Sequence, residues 1–384
     1  MTARIHWLGA GLSSVPGIKE LARNKQALIV WNRSLEKALL ALKGCELDVR
    51  ALTWDALDGA VESGDVVVSM LPATLHPEVA ELCLRKGAHF VSSSYISPEM
   101  QALHAKAKDA GLSFVNEVGL DPGLDHLLAH LLVDAYTASE VFAPDNQHYF
   151  RSYCGGFPSV ANDFKYKFSW SPLGVLKALR SSAQWREHGE VRTSKAPWEA
   201  LSRYHASLPG GGSETFESYP NRDSLPFMAQ YQFGADWDVQ EFVRGTLRLD
   251  GWSTAWQGLF DEIGGLSGPQ GDARLSEISA ELERNYSYEA NEADRVVMCV
   301  ELEVKREGRT VWHQSYQIDA HGNDKGQAMA RLVSYPVGLA IESVLAGELP
   351  AGVSAAPHCP KQIHAWLERL TLLGESLGHA DHLA

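Results

Sequence analysis

The sequence predicts an α/β protein of two domains, an N-terminal doubly wound parallel sheet followed by a second α/β domain on a mixed sheet. Three observations carry this expectation. The chain has 384 residues, more than the ~250–300 that one core usually supports. From residue 4 to about 116, short β-branched or apolar runs alternate with amphipathic helical stretches. From 140 to 325 the chain is richer in aromatics and alternates apolar with polar residues, the texture of antiparallel pairing.

Taken in order, the runs Ile5–Leu8, Ala27–Trp31, Cys45–Leu52, Asp65–Leu71, His89–Ser93 and Leu112–Asn116 read as strands. A helix begins near Val15-Pro16. Another spans Leu35–Leu42 with Leu35, Ala38, Leu39 and Leu42 on one face, and a third runs His76–Arg85 and is closed by Gly87. Asp121-Pro122 reads as the cap and first-turn pair of a helix reaching about Tyr136, because Asp accepts from orphan N–H groups and Pro lacks one. Gln147–Tyr153, Phe164–Trp170, Val239–Leu249 and Val296–Val304 read as antiparallel strands, and Gly264–Gly271 as loop. Gln327–Ala346 is a long helix closed by Gly347 and expected to pack back on the first domain; the tail Gly374–Ala384 is expected to fray. The domain limits on this reading are 1–125, 126–326 and a C-terminal helical segment, 327–384.

Composition narrows the function. With 45% hydrophobic, 9% aromatic and 21% charged residues, Gly 33 and Pro 17, the chain has the balance of a soluble globular protein. Lys+Arg 34 against Asp+Glu 48 leaves a net charge of −14, so binding to nucleic-acid phosphates has no electrostatic support. Cys45, Cys83, Cys154, Cys299 and Cys359 form no CxxC pair and no ligand spacing, which argues against a metal and fits unpaired thiols in a reducing cytosol. Met1-Thr2-Ala3-Arg4 runs into an apolar strand without the pattern of an export signal, and Leu127–Val133 is too short to span a bilayer. A cytoplasmic protein with no membrane partner is the expectation.

The first strand runs directly into Gly9-Ala10-Gly11. Gly9 permits a tight turn, and Gly11 lets a pyrophosphate approach the backbone at the following helix N-terminus. Where a third glycine usually falls this chain has Ser14. The second strand ends at Asn32-Arg33-Ser34, without the acidic residue that binds an NAD ribose; an arginine with a hydroxyl partner suits a 2′-phosphate, so NADP is expected ahead of NAD. The competing reading makes Arg33 a solvated loop residue and Ser34 a helix cap. Ser69-Met70-Leu71-Pro72 and Ser92-Ser93-Ser94-Tyr95 also fall at carboxyl ends of strands, where open α/β sheets bind ligands.

These segments, with Asn116-Glu117-Val118-Gly119-Leu120-Asp121-Pro122-Gly123-Leu124-Asp125-His126, resemble saccharopine dehydrogenase of the L-glutamate-forming type, also called saccharopine reductase. The likeness continues through Ser152–Pro158, Tyr166–Ser171, Tyr219–Ser224 and Val243–Arg248, and again over about 327–357. Residues 256–295 fall outside it and look shorter than a helical insertion of fungal members. The resemblance implies a Rossmann domain with an α/β substrate and dimerisation domain, and a homodimer. It implies oxidation of saccharopine, a secondary amine joining lysine and glutarate skeletons, to L-glutamate and 2-aminoadipate 6-semialdehyde, or the reverse. It places Gly11, Leu12 and Ser13 at the pyrophosphate and Asn32, Arg33 and Ser34 at the 2′-phosphate. Leu71, Ser93 and Ser94 would line the cofactor, Leu120, Asp121 and Asp125 would lie near the nicotinamide, and Ser94, Tyr95, Asp125, Asn221, Arg222 and Asp223 would meet the substrate.

A substrate with three carboxylates calls for cationic clamps. Arg222 offers a bidentate fork, with an Arg–Asp pair serving its own loop as the alternative; Arg244 and Lys167 are weaker candidates. Amine oxidation needs a group to take a proton from nitrogen and serve hydrolysis of the imine, and Asp125 with Tyr95 are the residues expected to do this. His126 and Cys154 read as structural. Two alternatives stay open: a related NADP-linked reductase forming another carbon–nitrogen bond, of carboxynorspermidine or homospermidine type, and a non-catalytic NADP-binding sensor.

Overall fold

A computed structural model describes residues 3–384; Met1 and Thr2, where the N-terminal reading begins, lie outside the described residues. The chain divides into two compact units. One is the chain up to Leu127 with Asp324–Gly326 and Ala330–Leu370; the other is Leu128–Asn323, Gln327–Met329 and Thr371–Ala384.

In the first unit, β1 (Ile5–Leu8), β2 (Leu28–Asn32), β3 (Asp48–Ala51), β4 (Val66–Ser69), β5 (His89–Val91) and β6 (Ser113–Val115) pair in parallel. Their spatial order is β6-β5-β4-β1-β2-β3, and a seventh parallel strand, Gly352–Ser354, adds beside β6. Every residue of β1 and β4 is buried, as expected of parallel strands covered on both faces, whereas the edge strand β3 is largely exposed and shorter than the Cys45–Leu52 run predicts. Leu8, Trp31, Val67, Phe90 and Phe114 form one core with Val353 of the returning segment.

That return depends on a glycine. The helix Val15–Arg23 carries Gly17, where an added Cβ would lie 2.6 Å from Ser334 O and 2.7 Å from Ser334 Cβ of the helix Ala328–Leu345. Gly17 N–H donates to Ser334 Oγ at 2.8 Å. The close-packing glycine thus sits at position 17, one turn beyond the Ser14 position considered from the sequence; Ser14 is the buried N-cap residue of its helix. Ala328–Leu345 is long and apolar enough by length and composition to cross a membrane, and 72% of that window is buried inside the protein.

The second unit carries nine strands: β7 (Gln147–Pro158), β8 (Ala183–Glu187), β9 (Glu190–Ser194), β10 (Ser202–Ser207), β11 (Ser213–Pro220), β12 (Asp238–Arg248), β13 (Asp294–Arg306), β14 (Arg309–His321) and the short Gly378–Asp381. The main path runs β10-β11-β12-β7-β13-β14 and then Gly378–Asp381, with the β8–β9 hairpin off β12. β7 and β12 pair in parallel and the remaining contacts are antiparallel, so the sheet is mixed. Arg151 of β7 ties three strands together, donating to Glu241 of β12 at 2.6 Å and to Glu301 of β13 at 2.5 Å. Burial opposes ionisation of Glu301, yet His313 and the Arg151 guanidinium hold its carboxyl at about 2.

Four expectations need correction here. Phe164–Trp170 is not a strand: Phe164, Tyr166 and Phe168 pack in a cluster with Trp252, Trp256 and Phe260, and Phe168 forms an isolated bridge to Ser287. Gly264–Gly271 is mostly helical, since Trp252–Gly264 and Gly268–Tyr286 leave only a short joint between them. The tail does not fray; Gly378–Asp381 extends the sheet beside β14. The helix after β6 starts at Leu124, so Asp121 is not its cap. Gly123, at φ 146, stands at its start instead, and Asp125 Oδ1 accepts from Gly123 N–H at 2.7 Å.

Gly17→Ala is expected to lower stability by about 1–3 kcal/mol through overpacking against Ser334. Denaturant melts of the two proteins check this, and an unchanged midpoint would remove the close approach as a constraint.

Candidate active site

Five of the loops that leave the carboxyl edge of the parallel sheet, those after β1, β2, β4, β5 and β6, carry every site residue expected in the first unit. After β1, Gly9 takes φ 96, a conformation L side chains avoid, and a Cβ there would lie 2.9 Å from Met70 O. A Cβ on Gly11, by contrast, meets nothing within 4 Å. The backbone there lies open toward the start of Val15–Arg23, and Leu12 is 60% exposed beside it. Asn32 fixes this turn: its Oδ1 accepts from Ala10 N–H at 3.2 Å and its Nδ2 donates to Ser34 O at 2.8 Å. Ser34 caps Leu35–Ala41 by accepting from Lys37 N–H, and Arg33 stands exposed between them. No carboxylate occupies the end of β2. An open glycine turn at a helix N-terminus and an exposed arginine where a ribose-binding acid would stand fit NADP.

The serines after β4 and β5 form a network around a histidine that sequence reasoning missed. His76 opens the helix His76–Lys86 and is buried. Its Nδ1 lies 2.8 Å from Ser69 Oγ, and its Nε2 lies 2.9 Å from Ser94 Oγ and 3.2 Å from Ser92 Oγ. Burial pushes His76 down to about 4, so its ring is neutral at neutral pH and bridges hydroxyls rather than charges. Ser93 donates to Met70 Sδ at 3.6 Å, and Leu71 is half-buried in the loop that follows.

After β6 the chain carries Leu120, buried, and Asp121, half-buried, whose Oδ1 accepts from Tyr95 OH at 3.2 Å. Asp125 is fully buried, with Oδ2 3.5 Å from His126 Nδ1; His126 Nε2 lies 3.1 Å from Glu117 Oε2. The structure therefore brings Ser94, Tyr95, Asp121 and Asp125 into one neighbourhood. It adds Glu117 and His126, which the sequence left out of the site.

In the second unit, Asn221, Arg222 and Asp223 form an exposed to half-buried turn stitched to β8 and β12. Gln184 N–H donates to Arg222 O at 2.8 Å, and Asn221 N–H donates to Arg244 O at 2.8 Å. Asp223 accepts from Leu225 N–H, serving its own turn. Arg244 is 3% exposed, and its guanidinium lies 3.9 Å over the Phe227 ring. The turn and Arg244 are thus held together, with Arg244 the buried member of the pair. Lys167 is not available as a clamp, because its ammonium pairs with Glu292. Arg248, two residues beyond Thr246, lies among the rings of Tyr166, Tyr219 and Trp252. Among the described residues no group of three or more His, Cys, Asp or Glu is placed to hold a metal.

A doubly wound parallel sheet with an open glycine turn, a hydroxyl- and carboxylate-lined carboxyl edge and a second mixed-sheet unit define a two-domain dinucleotide-binding protein of the dehydrogenase class. Residues 5–115 match the saccharopine dehydrogenase NADP binding domain, and 119–374 match the saccharopine dehydrogenase C-terminal domain. The chain belongs to the saccharopine dehydrogenase family. It is 31% identical to "Saccharopine dehydrogenase [NADP(+), L-glutamate-forming]" of Saccharomyces cerevisiae over 92% of this chain and 93% of that one. It is 38% identical to the protein of the same name from Pyricularia oryzae over 69% of this chain, a match that spans 58% of the relative's length. The solved apo saccharopine dehydrogenase (L-Glu forming) of Saccharomyces cerevisiae superposes with a TM-score of 0.82 at 27% identity, covering 99% of both chains.

The folded-state shift of His76, from 6.5 to about 4, means that its contribution to stability is complete above pH 6.5 and lost as pH falls toward 4. His6, His89 and His148 are lowered by burial and add in the same sense. The His76 part amounts to as much as about 3 kcal/mol. A His76→Gln protein is expected to show a flatter decline in stability between those pH values. Chemical denaturation across the range measures it, and an unchanged decline would show that His76 does not gate acid stability.

Proposed function

We propose that the protein is an NADP-dependent oxidoreductase that converts saccharopine, NADP and water to L-glutamate, 2-aminoadipate 6-semialdehyde and NADPH, or runs the reverse. The observation that carries this reading is the whole-length likeness to the yeast saccharopine dehydrogenase, through both the sheet that holds the glycine turn and the sheet that holds Arg244. NADP, when bound, accepts the hydride. Gly9 permits the turn, Gly11 leaves the backbone open to the pyrophosphate and Arg33 meets the 2′-phosphate, while Asn32 keeps the turn in shape. Leu12, Ser13, Ser34, Leu71, Ser93 and Leu120 complete the cofactor's surroundings.

Arg244 and Arg222 are assigned to substrate carboxylates. The Arg244 guanidinium lies 3.9 Å over the Phe227 ring, and a guanidinium suits a carboxylate through its planar fork of N–H donors. Tyr95, hydrogen-bonded to Asp121, and Asp125 are assigned to the proton that leaves the substrate nitrogen and to the water that cleaves the resulting imine. Cysteines that form no disulfide fit the cytoplasm as the proposed location, and a homodimer is the proposed assembly.

Purified protein mixed with saccharopine and NADP is expected to raise absorbance at 340 nm (about 340 nm being the reduced-nicotinamide band) and to release glutamate. No reduction, with NADP binding shown separately, would overturn the assignment in favour of another imine-forming substrate. Arg33→Asp is expected to raise the KM for NADP by about tenfold or more while leaving NAD use much less affected. Equal loss with both cofactors would remove Arg33 from the 2′-phosphate.

A further inference from the structure

Glu117 has two features that its immediate surroundings do not require. It follows β6 by two residues with φ 55, a left-handed conformation that non-glycine residues adopt rarely, and its side chain is 4% exposed as a residue. A glycine or asparagine would meet the backbone need at lower cost. The backbone N–H at 117 donates to Ser94 O at 3.0 Å whatever the side chain; what the glutamate adds is an Oε1 that accepts from Ile96 N–H at 3.0 Å, so that residue 117 holds the loop on both sides of Tyr95. Its Oε2 lies 3.1 Å from His126 Nε2.

His126 carries the chain onward. Its Nδ1 lies 3.5 Å from Asp125 Oδ2, and Asp125 Oδ1 accepts from Gly123 N–H at 2.7 Å, beside Pro122 and Asp121. Asp125 and His126 are both 0% exposed. His126 thus stands between two buried carboxylates, 3.1 Å from Glu117 by one ring nitrogen and 3.5 Å from Asp125 by the other; elsewhere a group placed in this way holds a catalytic base in position. The chain therefore links the two loops whose tips meet in the Tyr95–Asp121 hydrogen bond.

We propose that Glu117 and His126 are positioning residues for the proton-handling site: Glu117, through His126, sets the orientation of Asp125, and through Ser94 and Ile96 sets that of Tyr95. This rests on the assignment of Tyr95 and Asp125 made above. The strained backbone at Glu117 is retained because the carboxylate must reach the Tyr95 loop and His126 at once.

Two conservative variants test it. Glu117→Gln keeps an amide oxygen for Ile96 N–H and removes the charge facing His126; His126→Asn keeps a donor toward Asp125 and removes the contact with Glu117. Each is expected to fold, to bind NADP within about threefold of the parent, and to lose about tenfold or more in kcat with little change in the saccharopine KM. Because the two act in series, the double variant is expected to be no slower than the slower single one, within about twofold. A kcat within about twofold of the parent in both singles, or losses that multiply in the double, would overturn the proposal. The 15N spectrum of His126, assigned by its loss in His126→Asn, supplies a readout without turnover. It is expected to shift in Glu117→Gln, and an unmoved signal overturns the link even if saccharopine proves not to be the substrate.

Discussion

All seven strands of the first sheet run the same way, and the site depends on that constraint. Parallel strands cannot be joined by tight hairpins; each connection must cross back over the sheet, so every strand delivers its outgoing loop to the same edge. The loops after β1, β2, β4, β5 and β6 then lie within hydrogen-bonding reach of one another. Asn32 reaches Ala10, His76 reaches Ser69, Ser92 and Ser94, and Glu117 reaches Ile96. Each loop is anchored by a buried strand, and the loops brace one another. These hydrogen bonds brace the site among the loops themselves, and none of the five cysteines is in a disulfide.

How much of this the sequence disclosed follows from what each feature depends on. Ile5–Leu8 and the Val66–Ser69 core of its strand were legible because burial on both faces demands continuous apolar runs. Gly9 was legible because a tight turn at a strand end calls for glycine, whereas the bond of Asn32 to Ala10 was not, since it depends on β2 lying beside β1. Phe164–Trp170 was misread because alternating aromatics satisfy the period of a strand whether or not a neighbouring strand exists; here the rings pack on Trp252 and Trp256. Asp121-Pro122 has the chemistry of a helix start, but Gly123 takes that place and Asp125 supplies the accepting carboxylate. Gly378–Asp381 lacks any strand pattern and is ordered by its partner β14. The His76 network was out of reach for a similar reason. Its hydroxyls come from the ends of two strands and the loop beyond, and only the strand order brings them to one imidazole.

The second sheet shows two ways of keeping a guanidinium out of water. Arg151 is enclosed by Glu241 and Glu301, and Arg295 by Asp319 and Glu214, so these cations are satisfied by carboxylates and lock strands together. Aromatic rings take part as well: Arg151 lies over Tyr149 and Arg295 over Phe157 and Phe216, while Arg244 lies over Phe227 and Arg248 among Tyr166, Tyr219 and Trp252. A ring contact engages a guanidinium through its cationic carbon, so a buried arginine in this sheet is held by rings as well as by charge.

The backbone too departs from local preference where neighbouring segments impose it. Glu117 and Arg222 both take φ 55, the one beside the Tyr95 loop and the other in the turn held to Arg244. Neither is a residue type that a left-handed turn selects, and each is kept in place by hydrogen bonds from neighbouring segments: Glu117 N–H to Ser94 O, and Gln184 N–H to Arg222 O. Where local preference and observed conformation disagree, something outside the local chain has fixed the residue's identity. At Glu117 that is the need for one carboxylate to serve a loop and a buried histidine together, a requirement that a glycine could satisfy in backbone but not in charge.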